Sequence, residues 1–125
     1  MAAPNIVNVT SIYGKTAFDA DVATASSVTL ANAASSNKLY KINTIIAANI
    51  DGTNDADVSV YVTNAAGNTV LFRLAHGITV PADSTLVIIS KDTSFYMEEG
   101  TSIRSFASAA GDISVMVSYD ELDDA

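Results

Sequence analysis

The sequence predicts an all-β fold: a single-domain antiparallel β-sandwich of jelly-roll or immunoglobulin-like topology. Three observations carry that expectation. Apolar residues recur with period two over most of the chain, turn-forming residues punctuate it about every ten residues, and no amphipathic stretch is long enough for a helix. A chain of 125 residues has room for one core and can bury it without staples.

The beginning of the chain is the least specified. Asn5-Ile6-Val7-Asn8-Val9-Thr10 alternates like a strand, but residues 17–34 are rich in Ala, Ser and Thr, with only Phe18, Val22, Val28 and Leu30 as larger apolar side chains. So little apolar surface fixes structure weakly. Residues 1–36 are expected to be an N-terminal arm with thin strands, lying on a neighbouring subunit, or else simple peripheral strands. Residues 37–125 then form the β-sandwich core, and deletion of 1–36 should leave that core folded while removing docking contacts.

From there the pattern sharpens. Residues 37–49 read as a long strand, more deeply buried toward its end and stopped by Asp51-Gly52. Val58, Val60 and Val62 alternate with Asp57, Ser59, Tyr61 and Thr63, and the turn Ala65-Ala66-Gly67-Asn68 returns the chain through Val70, Phe72 and Leu74, completing a hairpin that ends near His76-Gly77. Pro81-Ala82-Asp83 marks a connection, since Pro cannot donate to a ladder, and residues 84–90 read as a central strand. Phe95-Tyr96-Met97 is a short run closed by Glu98-Glu99-Gly100, and residues 101–108 form a strand ended by Ala109-Ala110-Gly111. The last strand sets Ile113, Val115, Val117 and Tyr119 on one face and Asp112, Ser114, Met116 and Ser118 on the other, as a half-exposed strand should. Asp120-Glu121-Leu122-Asp123-Asp124-Ala125 is expected to be a solvated acidic tail.

Composition removes several function classes. Six Lys+Arg against 14 Asp+Glu give a formal charge of −8, which repels a phosphate backbone, so no nucleic-acid partner is expected. Without cysteine there is no disulfide, thiolate metal site or cysteine nucleophile. Apolar runs are strand-length, well short of the roughly 18 residues a membrane span needs, and Met1-Ala2-Ala3-Pro4-Asn5 has no signal-peptide pattern. Charged residues make up 16% against a usual value of about 25%, and small neutral polar residues replace them. Such a surface suits packing against other copies or other proteins.

The candidate chemical residues are few, and none forms a recognisable catalytic set. Asp51-Gly52-Thr53-Asn54-Asp55-Ala56-Asp57 groups oxygen ligands suited to Ca²⁺, yet Ala56 and Val62 occupy the positions where an EF-hand loop needs Gly and Glu. A polar turn whose Asp and Asn cap their own backbone is the simpler reading. His76 is expected at a strand end or turn rather than as a lone base. Adjacent Glu98 and Glu99 would point to opposite faces of a strand, so they cannot converge on one glycosidic bond and read as turn-entry solvation. Tyr40, Tyr61, Tyr96 and Tyr119 suggest a sugar-stacking surface or, more simply, sheet packing with wet hydroxyls. No G-x-S-x-G, H-E-x-x-H or phosphate-binding loop occurs. No enzyme, cofactor or metal is expected.

A set of strings points further. Asn5-Ile6-Val7-Asn8-Val9-Thr10 followed by Tyr13-Gly14-Lys15-Thr16, Tyr40-Lys41-Ile42-Asn43 leading to Ala48-Asn49-Ile50-Asp51-Gly52, Val80-Pro81-Ala82-Asp83-Ser84-Thr85-Leu86, Met97-Glu98-Glu99-Gly100 and Val117-Ser118-Tyr119-Asp120-Glu121 occur in order along nearly the whole chain. Together they resemble small structural proteins of tailed bacteriophages, especially those of marine cyanobacteria. The resemblance implies a virion component with a β-sandwich fold and no catalytic residues to carry over. The leading expectation is a decoration or cement protein made in the host cytoplasm, binding the outer capsid surface on the major capsid protein lattice, as a homotrimer. The alternatives are a neck, tail or fibre adaptor of the virion and, from another class, a carbohydrate-binding module.

Overall fold

The computed structural model describes residue 7 and residues 9–123, so the strand expected over residues 5–10 falls mostly outside the described residues. The strands are β1 (Ser11–Asp19), β2 (Ser27–Asn32), β3 (Lys38–Asn49), β4 (Ala56–Asn64), β5 (Val70–Val80), β6 (Thr85–Ile89), β7 (Phe95–Met97), β8 (Thr101–Ala107) and β9 (Ile113–Asp123), with one 3-10 turn at Lys91–Thr93. They form two antiparallel sheets. One has the order β1-β9-β3-β6, with β7 also pairing β3; the other has the order β2-β8-β4-β5. The chain crosses between sheets at most connections, and these two orders make a jelly roll rather than an immunoglobulin-like sandwich.

The period-two pattern places the core. On β9, Ile113, Val115, Val117 and Tyr119 are buried, and they meet Ile103, Val58 and Val60 of the other sheet in one apolar cluster. In β3 the inward set changes phase. Tyr40 and Ile42 are buried, the register with β9 shifts between Ile42 and Thr44, and the buried residues then become Ile45, Ala47 and Asn49. That bulge explains how Ile45-Ile46 can sit in a strand with its inner side still continuous.

Several expectations need correction. Residues 85–89 form an edge strand, because β3 reaches β6 on one side and nothing follows it in the sheet order. β5 does not end at His76-Gly77 but continues to Val80 past a bulge, where Val58 faces Ile78 and Val60 faces Ala75. Gly77 lies there at φ +59°, a left-handed conformation that costs glycine little, and its N–H donates to Ser59 Oγ at 2.9 Å. β9 is a central strand, paired with both β1 and β3. It continues through Asp120 to Asp123, so that stretch is sheet and not a solvated tail.

The early segment supplies the outer strand of each sheet. β1 pairs with β9 from Ser11↔Asp123 to Asp19↔Val115, and β2 pairs with β8. Val22, between them, is wholly buried, and its N–H donates to Ile113 O at 2.9 Å. Asn32 is buried as well and ties three segments together. Its Nδ2 donates to Lys38 O and Met97 O, and its Oδ1 accepts from Ser36 Oγ.

Candidate functional site

The residues singled out in the sequence are scattered and locally engaged. In the Asp51 to Asp57 loop, Asp51 Oδ1 accepts from Thr53 N at 2.8 Å and Asn54 N at 3.2 Å. Those bonds, with one from Asn54 Nδ2, hold its carboxyl below the usual carboxylate range. Asp55 Oδ1 accepts from Ala82 N at 3.1 Å, and Asp57 Oδ1 accepts from Thr79 Oγ1 at 2.7 Å. The three carboxylates thus serve separate partners and share none. Among the described residues, no group of three or more His, Cys, Asp or Glu could hold a metal ion.

His76 sits in the β5 bulge. Its Nδ1 and the Tyr61 hydroxyl share a hydrogen bond at 2.5 Å, and a shallow polar hollow beside it is lined by Asp57, Ser59 and Ser108. Tyr61 also meets Phe106 edge-on and lies beneath the Arg73 guanidinium, 5.2 Å from the ring centroid. Glu99 is not solvated turn entry: its Oε2 accepts from Asn37 N at 2.8 Å, bracing a residue at φ +58°. The tyrosines do not share a surface. Tyr40 and Tyr119 are buried with ring centroids 4.9 Å apart, Tyr61 packs against β8, and Tyr96 is exposed on β7.

Sequence reasoning missed one polar centre. Glu121 is 4% exposed; its Oε1 lies 3.2 Å from Lys15 Nζ and 3.6 Å from Lys38 Nζ. Burial, then the Glu121 charge, pushes the neighbouring Tyr40 phenol up to about 12. The signal was available: continuing the inward phase of β9 from Ile113 through Tyr119 arrives at Glu121.

The larger surface features are apolar. Across the outer face of the first sheet, Phe18 pairs with Met116, Met116 with Ile46, and Ile46 with Val87, giving one row over β1, β9, β3 and β6. Thr16, Ser118 and Thr44 make the next row on one side, and Ser114, Ala48 and Thr85 the row on the other. No charged side chain stands in these three rows. A second feature is an open groove of about 460 Å³ between β5 and β7, where Leu71, Phe72 and Tyr96 meet the core residue Met97. Phe72 faces the interlayer side as the alternation predicts, yet it remains 65% exposed because β5 is an edge strand.

These surfaces are what the arrangement offers chemically: contact area with few charges. No family model matches the chain, and no curated protein matches it. Among solved structures it is similar to a chain from Bacillus endospore appendages, described as "a novel family of disulfide-linked pili", at 14% identity and a TM-score of 0.54, over 92% of this chain and 90% of that one. At that identity the likeness establishes the sandwich fold.

Proposed function

We propose that the protein is a structural component of a bacteriophage virion, a decoration protein that docks on the outer surface of the capsid shell and stabilises it. The observation that carries this reading is the outer face of the β1-β9-β3-β6 sheet, uncharged across three rows on a chain of net charge −8. A like-charged surface cannot lie against many partners without repulsion, whereas an apolar row bordered by hydroxyls can desolvate at low cost. Modest contacts of this kind, repeated over a lattice, gain strength from multivalency. What points to a capsid lattice as the partner is the resemblance of the ordered strings to tailed-phage structural proteins.

The test is to mix the protein with empty cyanophage capsids, expanded and unexpanded, and locate it by cryo-microscopy. Occupancy in hundreds of copies on the expanded shell, lost when Ser118→Arg plants a charge beside the apolar row of that face, supports the reading. No binding to either shell, or a dozen or fewer copies at the neck or tail, overturns it, and the second outcome favours the adaptor.

A further inference from the structure

The distribution of exposed apolar side chains is uneven in a specific way. Apart from Val7 and Ile50, every large apolar side chain exposed among the described residues lies on β1, β2, β5, β6 or β7. None lies on the inner strands β3, β4, β8 and β9. Edge strands in isolated sandwiches are normally blunted by charge, proline or cover. Here β2, β6 and β7 carry no charged residue at all, β1 carries Lys15 and Asp19, and β5 carries Arg73. Asp19 is therefore the single acid on the five marginal strands of a chain with 14.

That placement selects the direction of approach. The remaining acids stand on inner strands, in the connections and at the chain's end, so copies meeting end to end would set carboxylates against carboxylates. Copies meeting side by side do not. The margins also differ from each other: β1 offers Phe18, 73% exposed and beside Asp19, while β5 offers Phe72 with Arg73 next to it. Strand direction agrees. Each sheet has an even four-strand path with antiparallel neighbours throughout, so a second copy placed beside the first in the same orientation presents β1 antiparallel to β6 and β2 antiparallel to β5. The row Phe18–Met116–Ile46–Val87 ends in an exposed side chain at each margin, so it would continue from copy to copy.

We propose that a second copy of this chain is the partner of these edges: copies associate head to tail, the β1/β2 margin of one against the β5/β6 margin of the next. Such a heterologous contact closes into a ring or continues as a filament, according to the rotation between neighbours. It goes beyond the decoration reading and holds whatever surface the assembly sits on.

The experiment is sedimentation of the full chain over a concentration series, with Phe18→Asp and Phe72→Asp as variants. Both side chains are mostly exposed, so circular dichroism should report an unchanged β fold; Phe18→Ser and Phe72→Ser replace any variant that does not fold. Wild type is expected to assemble, and each variant alone to be monomeric where wild type is not. An equimolar mixture of the two is expected to form a one-to-one dimer of twice the 13.0 kDa chain mass and nothing larger, because only one compatible pair of margins survives. Wild type monomeric up to about 1 mM, where even weak association registers, overturns the proposal. So does self-assembly by either variant alone, or a mixture that stays monomeric.

Discussion

Lys15 Nζ lies 3.2 Å from Glu121 Oε1, which joins the edge strand β1 to the central strand β9 through a carboxylate that water scarcely reaches. Lys38 of β3 approaches the same oxygen at 3.6 Å, so one acid ties three neighbouring strands at the end of the sheet where β9 finishes. The Glu121 hydrogen bond and charge raise the Lys15 ammonium above its ordinary value.

Replacing Glu121 by Gln keeps the shape and removes the charge that both lysines face. The lysines are partly exposed and can turn to water, so the loss falls short of that for a fully buried pair. A destabilisation of about 2 kcal/mol is expected, read as a lower urea midpoint with an unchanged slope. Lys15→Met should cost less, because Lys38 still reaches the carboxylate. Equal midpoints for wild type and Glu121→Gln would show the pair to be energetically silent.

Alkaline stability follows from the same cluster. Tyr40 has its phenol raised from 10.0 to about 12 in the folded chain, and Lys15 is raised as well. A group whose folded pKa exceeds its unfolded value contributes fully below the unfolded value and loses that contribution as pH rises through the folded one. Melting temperature should therefore hold up to about pH 10 and fall between about pH 10 and 12. Tyr40→Phe removes the phenol, so its decline over that interval should be shallower; an identical slope would assign the effect elsewhere.

The parts of the fold legible in the sequence are those where one physical rule acts alone. Val115, Val117 and Tyr119 show their burial by simple alternation, and the Gly67 turn marks its hairpin, because neither depends on distant residues. Edge or centre is a different kind of property. Leu86-Val87-Ile88-Ile89 is as apolar as a central strand, yet β6 ends its sheet and leaves Val87 56% exposed. Composition cannot separate a strand buried by its own chain from one awaiting another surface. Glu121 was hidden by the reverse bias: an acidic run reads as solvated unless the phase of the preceding strand is carried into it. Bulges escaped for a related reason, since the shift at His76-Gly77 shows in pairing rather than in residue type.

Calcium should leave the protein unchanged. Asp51, Asp55 and Asp57 are occupied by Thr53 and Asn54, by Ala82 and by Thr79 respectively, so binding an ion would require breaking those bonds before gaining its own. Thermal melts with and without millimolar Ca²⁺ are expected to coincide. A rise in melting temperature that saturates with Ca²⁺ would reveal a site assembled from these oxygens.

Deletion of residues 1–36 should now unfold the protein rather than trim it. The cut removes β1 and β2, which uncovers one edge of β9 and one edge of β8, the inner strand of each sheet on that side. It also takes away Val22 and Leu30 from the core, Lys15 from Glu121, and Asn32 from the carbonyls of Lys38 and Met97. Each buried apolar side chain lost costs about 1.5–3 kcal/mol of transfer free energy, and unsatisfied buried carbonyls add to that. A domain of this size has about 5–15 kcal/mol in total, so the remainder should fall near or below zero. Circular dichroism and urea unfolding of the truncated chain check it. A cooperative transition close to that of the full chain would show that residues 37–125 hold together without their outer strands and would return the segment to the role of a separable arm.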